Sequence, residues 1–134
     1  MGRQTIKGLA TVLLATRNLR RATVFYHELL GLSITHKDDE MAQFDCGNVL
    51  LTLQQHDEDH EVAPHPNHMT IVLEVEDVDA MHELFRRVKA RVIQEVQDQP
   101  WGDRTCVVLD PDGYAIELSQ CMHEEKAAHK FAEA

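Results

Sequence analysis

The chain has 134 residues, 43 % of them apolar and 27 % charged, with a formal charge of −10. That is the size and composition of one compact domain, or of two small modules sharing a core. The acidic balance opposes nucleic acid and anionic membrane surfaces and is compatible with a cationic small ligand. No apolar run approaches the roughly 20 residues that span a bilayer.

The N-terminal stretch MGRQTIKGLATVLLATRN carries a few basic residues and a short apolar segment. That segment is too short for a secretory leader and is interrupted by threonine, so it reads as a strand and the cytoplasm is the expected location. Cys46, Cys106 and Cys121 show no CxxC spacing, and an odd count without a leader argues for buried or half-buried thiols over a disulfide framework.

The first strand is Thr11–Thr16. Its alternation sends Val12 and Leu14 towards a helix and Thr11, Leu13 and Ala15 to the other face. Asn18 is a helix cap, and Leu19, Ala22, Phe25, Tyr26, Leu29 and Leu30 then form one apolar stripe that ends at Gly31. Three strand-like segments follow, 32–36, 41–46 and 49–54. The polar, proline-punctuated stretch up to Asn67 has no periodicity and reads as a linker.

The pattern then repeats. TIVLEVEDVDAMHELFRRVKARVI, from Thr70, overlays TVLLATRNLRRATVFYHELLGLSI, from Thr11, and the caps Asn18 and Asp77 keep the same spacing. Ile71, Leu73 and Val75 should pack under the second helix, leaving Thr70, Val72 and Glu74 on the other face. The helix stripe is Val78, Met81, Leu84, Phe85 and Val88. Its stop falls at Ala90, where a left-handed conformation costs about 1 kcal/mol relative to glycine. Strands are expected at 91–96, 104–109 and 114–119. The last two are joined by the turn Asp110-Pro111-Asp112-Gly113.

Ile116 and Leu118 face a core, so Glu117 between them faces away from it, with Ala115 and Ser119. Matching Gly47 to Gly113 assigns the second half's extra residues to QDQPWGD, 97–103, and lines up Leu51 and Leu53 with the Glu117 face.

The fold class is therefore α+β. Two βαβββ modules are expected to form a curved mixed sheet with a concave pocket, helices outside. Residues 6–54 make the first module, 55–67 the linker, 68–122 the second module, and 123–134 a tail or short helix. Apolar sheet surface left by such small modules predicts a homodimer.

NLRRATVFYHELLGL (18–32), VEDVDAMHELF (75–85) and PWGDRTCVVLDPDGYAIELSQ (100–120) resemble the glyoxalase/bleomycin-resistance/extradiol-dioxygenase superfamily, also called vicinal oxygen chelate proteins. The resemblance implies paired βαβββ modules, usually in a homodimer, with a cup-shaped cavity. In the metal-dependent members it implies four ligand positions, which fall here on Thr11, Leu51, Thr70 and Glu117. Threonine is a poor ligand for a divalent transition metal and leucine is none, so no metal or other cofactor is expected.

A divalent metal remains an alternative at a displaced site built from His68, Glu117 and a histidine of the loop or of a partner chain. His56, His60 and His65 cluster in that loop. Thr11, Leu13, Leu51, Thr70, Val72 and Glu117 are the expected pocket lining. Trp101 is a stacking candidate beside it. Arg104 is a partner for a ligand carboxylate, or for Glu117, Asp98 or Asp103.

Three functions follow. The first is metal-independent binding of a small, cationic or aromatic molecule, as in drug-sequestering resistance proteins. The second is a metal-dependent lyase, isomerase or dioxygenase. The third is a regulatory or protein-partner role. No nucleophile motif supports covalent catalysis.

Overall fold

Alternating apolar residues and two side-chain caps dictate the order of elements. The computed structural model describes residues 5–56, 64 and 69–122. The expected tail at 123–134 and His60, His65 and His68 lie outside the described residues. The strands are β1 (Thr11–Thr16), β2 (Ser33–Lys37), β3 (Met41–Asp45), β4 (Leu50–Gln55), β5 (Thr70–Glu74), β6 (Arg91–Asp98), β7 (Asp103–Leu109) and β8 (Ala115–Cys121). They form two four-stranded mixed sheets, ordered β1-β4-β3-β2 and β5-β8-β7-β6. In each, the first strand pairs parallel with the last and the other pairs are antiparallel. The chain divides into two units between β4 and β5, each a βαβββ module.

Each helix starts on the same pair of devices. The Asn18 side chain accepts from the Arg21 amide at 3.0 Å, and Asp77 accepts from the Ala80 amide at 3.0 Å. Gln55, at the end of β4, accepts from the Leu19 amide at 2.8 Å, and Gln120, in β8, accepts from the Val78 amide at 2.9 Å. Two of the otherwise orphaned amides of each first turn are thereby satisfied.

In the first module, α1 (Leu19–Thr23) runs directly into a π-helical turn, Val24–Leu29, closed by the Leu30 amide on the Phe25 carbonyl at 3.0 Å. Gly31 then takes φ 77°. In the second, α2 (Val78–Arg87) ends in a Schellman motif, with Lys89 donating to the Arg86 carbonyl and Ala90 to the Phe85 carbonyl. The left-handed residue is Lys89, at φ 57°, not Ala90 as the overlay predicts. The first helix carries one more residue before its stop, and the π turn absorbs it.

Beneath the first helix, Tyr26 is fully buried, edge-on to Phe25 at 5.1 Å and tilted against Phe44 at 5.9 Å. Leu14, Leu51 and Leu53 complete that core; Val78, Phe85, Val108, Ile116 and Leu118 are the buried counterparts in the second module. Each such side chain contributes about 1.5–3 kcal/mol of burial. Val88, expected in the apolar stripe, is exposed because the helix has already ended at Arg87.

A β-branched or long side chain in the left-handed region is strained, so Lys89 is the weak point of the second helix stop. Lys89→Gly should raise stability by about 1 kcal/mol. Urea unfolding checks this; an unchanged or lower midpoint would contradict it.

Candidate functional site

The residues expected to meet a ligand belong to the sheet face away from each helix, and strand register decides which side chains share that face. In the first module Thr52 pairs across strands with Gln43, so both share a face. Thr11 joins them: its hydroxyl lies 2.8 Å from that of Thr52. Thr11 Oγ1 also donates to the Leu50 carbonyl at 3.0 Å. A hydroxyl has one proton, so Thr52 is the donor to Thr11, and Gln43 Nε2 donates to Thr52 at 3.3 Å. Amide, two hydroxyls and carbonyl form one directed chain.

Leu51 stands on the opposite face. Its cross-strand partner is Phe44, which packs on Tyr26, and both Leu51 and Leu53 are core residues. The pocket position expected for Leu51 belongs to Thr52. The cause is turn length. Four residues join Asp45 to Leu50, whereas five join Leu109 to Ala115, so matching Gly47 to Gly113 slips the last strand by one residue. One residue of slip exchanges the two faces. The paired glutamines Gln55 and Gln120 were the signal that could have fixed the register, since both tie to the first helical amide.

In the second module Glu117 is on the face away from α2, flanked across strands by Val107 and Val72. Val107, Leu109 and Ala115 form a buried apolar cluster on that face. Burial raises the Glu117 pKa above the ordinary carboxylate value, and the negative charge of Asp103 adds to the rise. Thr70 pairs with Ala115 and is exposed. Leu13 and Val72, at equivalent positions of the two modules, are 57 % and 54 % exposed, so each presents an apolar side chain on its module's face.

Trp101 is exposed, with its indole N–H donating to buried Asp103 at 3.1 Å. That contact fixes the ring's edge and leaves much of its surface accessible. Arg104 lies on the helix face of β7. Its guanidinium grips Asp79 of α2 through two bonds of 3.0 and 2.9 Å and Asp98 through one of 3.0 Å. Sequence alone did not point to Thr52, Gln43 or Asp103 as residues of these faces.

At the ligand positions that the resemblance assigns, the first module carries Thr11 and, on the face expected for Leu51, Thr52, and the second carries Thr70 and Glu117; threonine hydroxyls are poor ligands for a divalent transition metal. Among the described residues no three His, Cys, Asp or Glu side chains are grouped to hold a metal ion. Thiol chemistry has little support either, because burial pushes the Cys106 thiol up to about 11 and raises that of Cys46.

A family model described as Glyoxalase/Bleomycin resistance protein/Dioxygenase superfamily matches residues 8–118. An uncharacterized protein of Mycobacterium bovis is 43 % identical over 56 residues, 42 % of this chain and 37 % of that one, so the match spans little over a third of that relative. Glutathione transferase FosA of Serratia marcescens is 23 % identical over 116 residues, 84 % of this chain and 80 % of the relative. The crystal structure of lactoylglutathione lyase from Agrobacterium tumefaciens superposes with a TM-score of 0.68 at 20 % identity, covering 87 % of this chain and 96 % of that one.

The raised Glu117 pKa has a consequence for stability. A proton held more tightly by the folded state stabilises it below the unfolded carboxylate pKa, and that contribution is lost as pH rises through the folded value. Glu117→Gln never ionises. Its unfolding midpoint relative to wild type should therefore climb between about pH 3.5 and about pH 7.5 in urea melts. A constant or falling difference would contradict the burial of this carboxylate.

Proposed function

The chain belongs to the Glyoxalase/Bleomycin resistance protein/Dioxygenase superfamily, and we propose that it binds a small organic molecule without a metal ion, through the sheet face that carries Glu117. The observation that carries this reading is the donor set. At the position equivalent to Glu117 the first module has Thr52, already engaged by Thr11 and Gln43. Glu117 is then a carboxylate flanked by Val107, Val72 and Ala115, with Asp103 close enough to add repulsion.

A carboxylate in such surroundings loses hydration without gaining a fixed counter-charge. A cationic or donor-rich ligand restores what the anion has lost, and the exposed side chain of Val72 supplies apolar contact. Trp101 offers a ring for a planar group. Sequestration needs only such affinity, with no bond made or broken. The likeness to a glutathione transferase over most of the chain favours a second reading, an enzyme, in which a metal would need residues beyond these four.

Elemental analysis of protein purified without chelator separates the two. The first reading expects less than stoichiometric Zn, Mn, Ni or Fe; one equivalent of metal lost in Glu117→Gln would establish the second. Screening cationic antibiotics and planar aromatics by calorimetry supplies a ligand. Glu117→Gln should then weaken its binding by about 1–3 kcal/mol. Unchanged affinity would remove Glu117 from the site.

A further inference from the structure

The sheet face of the second module that carries Glu117 also carries a set of neutral polar groups. Strand register puts Gln94, Val107 and Glu117 in one row across β6, β7 and β8, with Thr105 and Ser119 paired in the next row on the same face. Thr105 is fully buried, and its hydroxyl oxygen accepts from Gln94 Nε2 and from Gln99 Nε2, both at 2.9 Å. A hydroxyl oxygen has two lone pairs, so two donors saturate it. Each glutamine is thereby held by its nitrogen, and neither side-chain carbonyl oxygen has a donor among the described residues.

Ser119 is the observation that points to a ligand. It is 3 % exposed and lies on the Glu117 face, two residues along β8, yet its hydroxyl makes no hydrogen bond among the described residues. A buried hydroxyl without a partner costs stability, and such groups in native structures call for an explanation. The Glu117 carboxylate also makes no hydrogen bond or ion pair among the described residues. Carboxylate, hydroxyl and two carbonyl oxygens therefore stand on one face, each able to accept and none of them supplied with a donor there.

We propose that this face recognises a protonated primary amine with a further N–H or O–H donor, and selects it over a quaternary ammonium of equal charge. The inference rests on the metal-free reading of Glu117. Coulomb attraction to the carboxylate acts on both kinds of cation alike. Only the amine can also donate, and a charge-assisted hydrogen bond is about twice as strong as a neutral one. The ammonium meets Glu117 and Ser119. Gln94 stands two strand spacings from Glu117, roughly 10 Å, so the glutamine carbonyl oxygens take the ligand's second donor.

Calorimetry on the full chain at low salt tests this with cadaverine, a linear diamine, and pentamethonium, its fully methylated counterpart. Cadaverine should bind saturably and roughly tenfold or more tighter than pentamethonium. Ser119→Ala and Gln94→Met should each narrow that ratio by weakening cadaverine alone. Because the Ser119 hydroxyl lacks a partner, Ser119→Ala should keep or raise the urea midpoint, so folding is not at risk in that variant. Glu117→Gln should weaken both cations. No saturable binding of cadaverine, equal affinities for the two cations, or a ratio unmoved in both Ser119→Ala and Gln94→Met would overturn the proposal. Equal affinities that fall together in Glu117→Gln would overturn it while leaving the metal-free site intact; affinities indifferent to Glu117→Gln would remove both.

Discussion

In each module the side-chain amide of one glutamine ties the end of the last strand to the start of the helix. Gln55 accepts from the Leu19 amide and donates to the Arg17 and His56 carbonyls; Gln120 accepts from the Val78 amide. The tie satisfies a helix terminus that would otherwise depend on water. It also fixes which strand residue lies opposite which. Because the last strand is central in its sheet, paired with both the first and the third strands, its register sets every other side chain's face.

The difference between the two sheet faces follows from that register. Thr52 and Glu117 occupy equivalent places, each across from an exposed apolar residue of the first strand, Leu13 or Val72. One place is filled by a hydroxyl inside a directed hydrogen-bond chain. The other holds a carboxylate whose cross-strand neighbours, Val72 and Val107, are apolar, with Asp103 adding repulsion. The same repeat that supplies two similar frames thus places a saturated polar position in one and an unsaturated charge in the other. On its helix side the second module carries a closed ion cluster, Asp79 and Asp98 around Arg104.

Much of this was legible in the chain. Asn18 and Asp77 cap helices as their chemistry requires, Gly31 stops one, and the alternation around Glu117 places it away from the core. What was not legible turns on single residues. The π turn hides an extra residue in the first helix, and it shows only in hydrogen bonds reaching five residues back. The turns after β3 and β7 differ by one residue, with glycine at different places in them, so glycine was a false landmark and Leu51 was assigned the face of Thr52. Of the three partners the sequence offered Arg104, Asp98 is bonded to it. Only the placement of α2 over β7 brings Asp79, a residue 25 positions away, to its guanidinium.

Glu117, a partly buried carboxylate, is where the proposed metal-free binding stands or falls. Its side-chain carboxyl carbon, followed by NMR across pH with and without added Zn²⁺ or Mn²⁺, reads that state directly. A titration midpoint above that of ordinary glutamates, and the same with Zn²⁺ present and without Mn²⁺ broadening, is what burial among Val107, Val72 and Ala115 predicts. A midpoint at or below the ordinary value, or one that falls sharply when the metal is added, would contradict it.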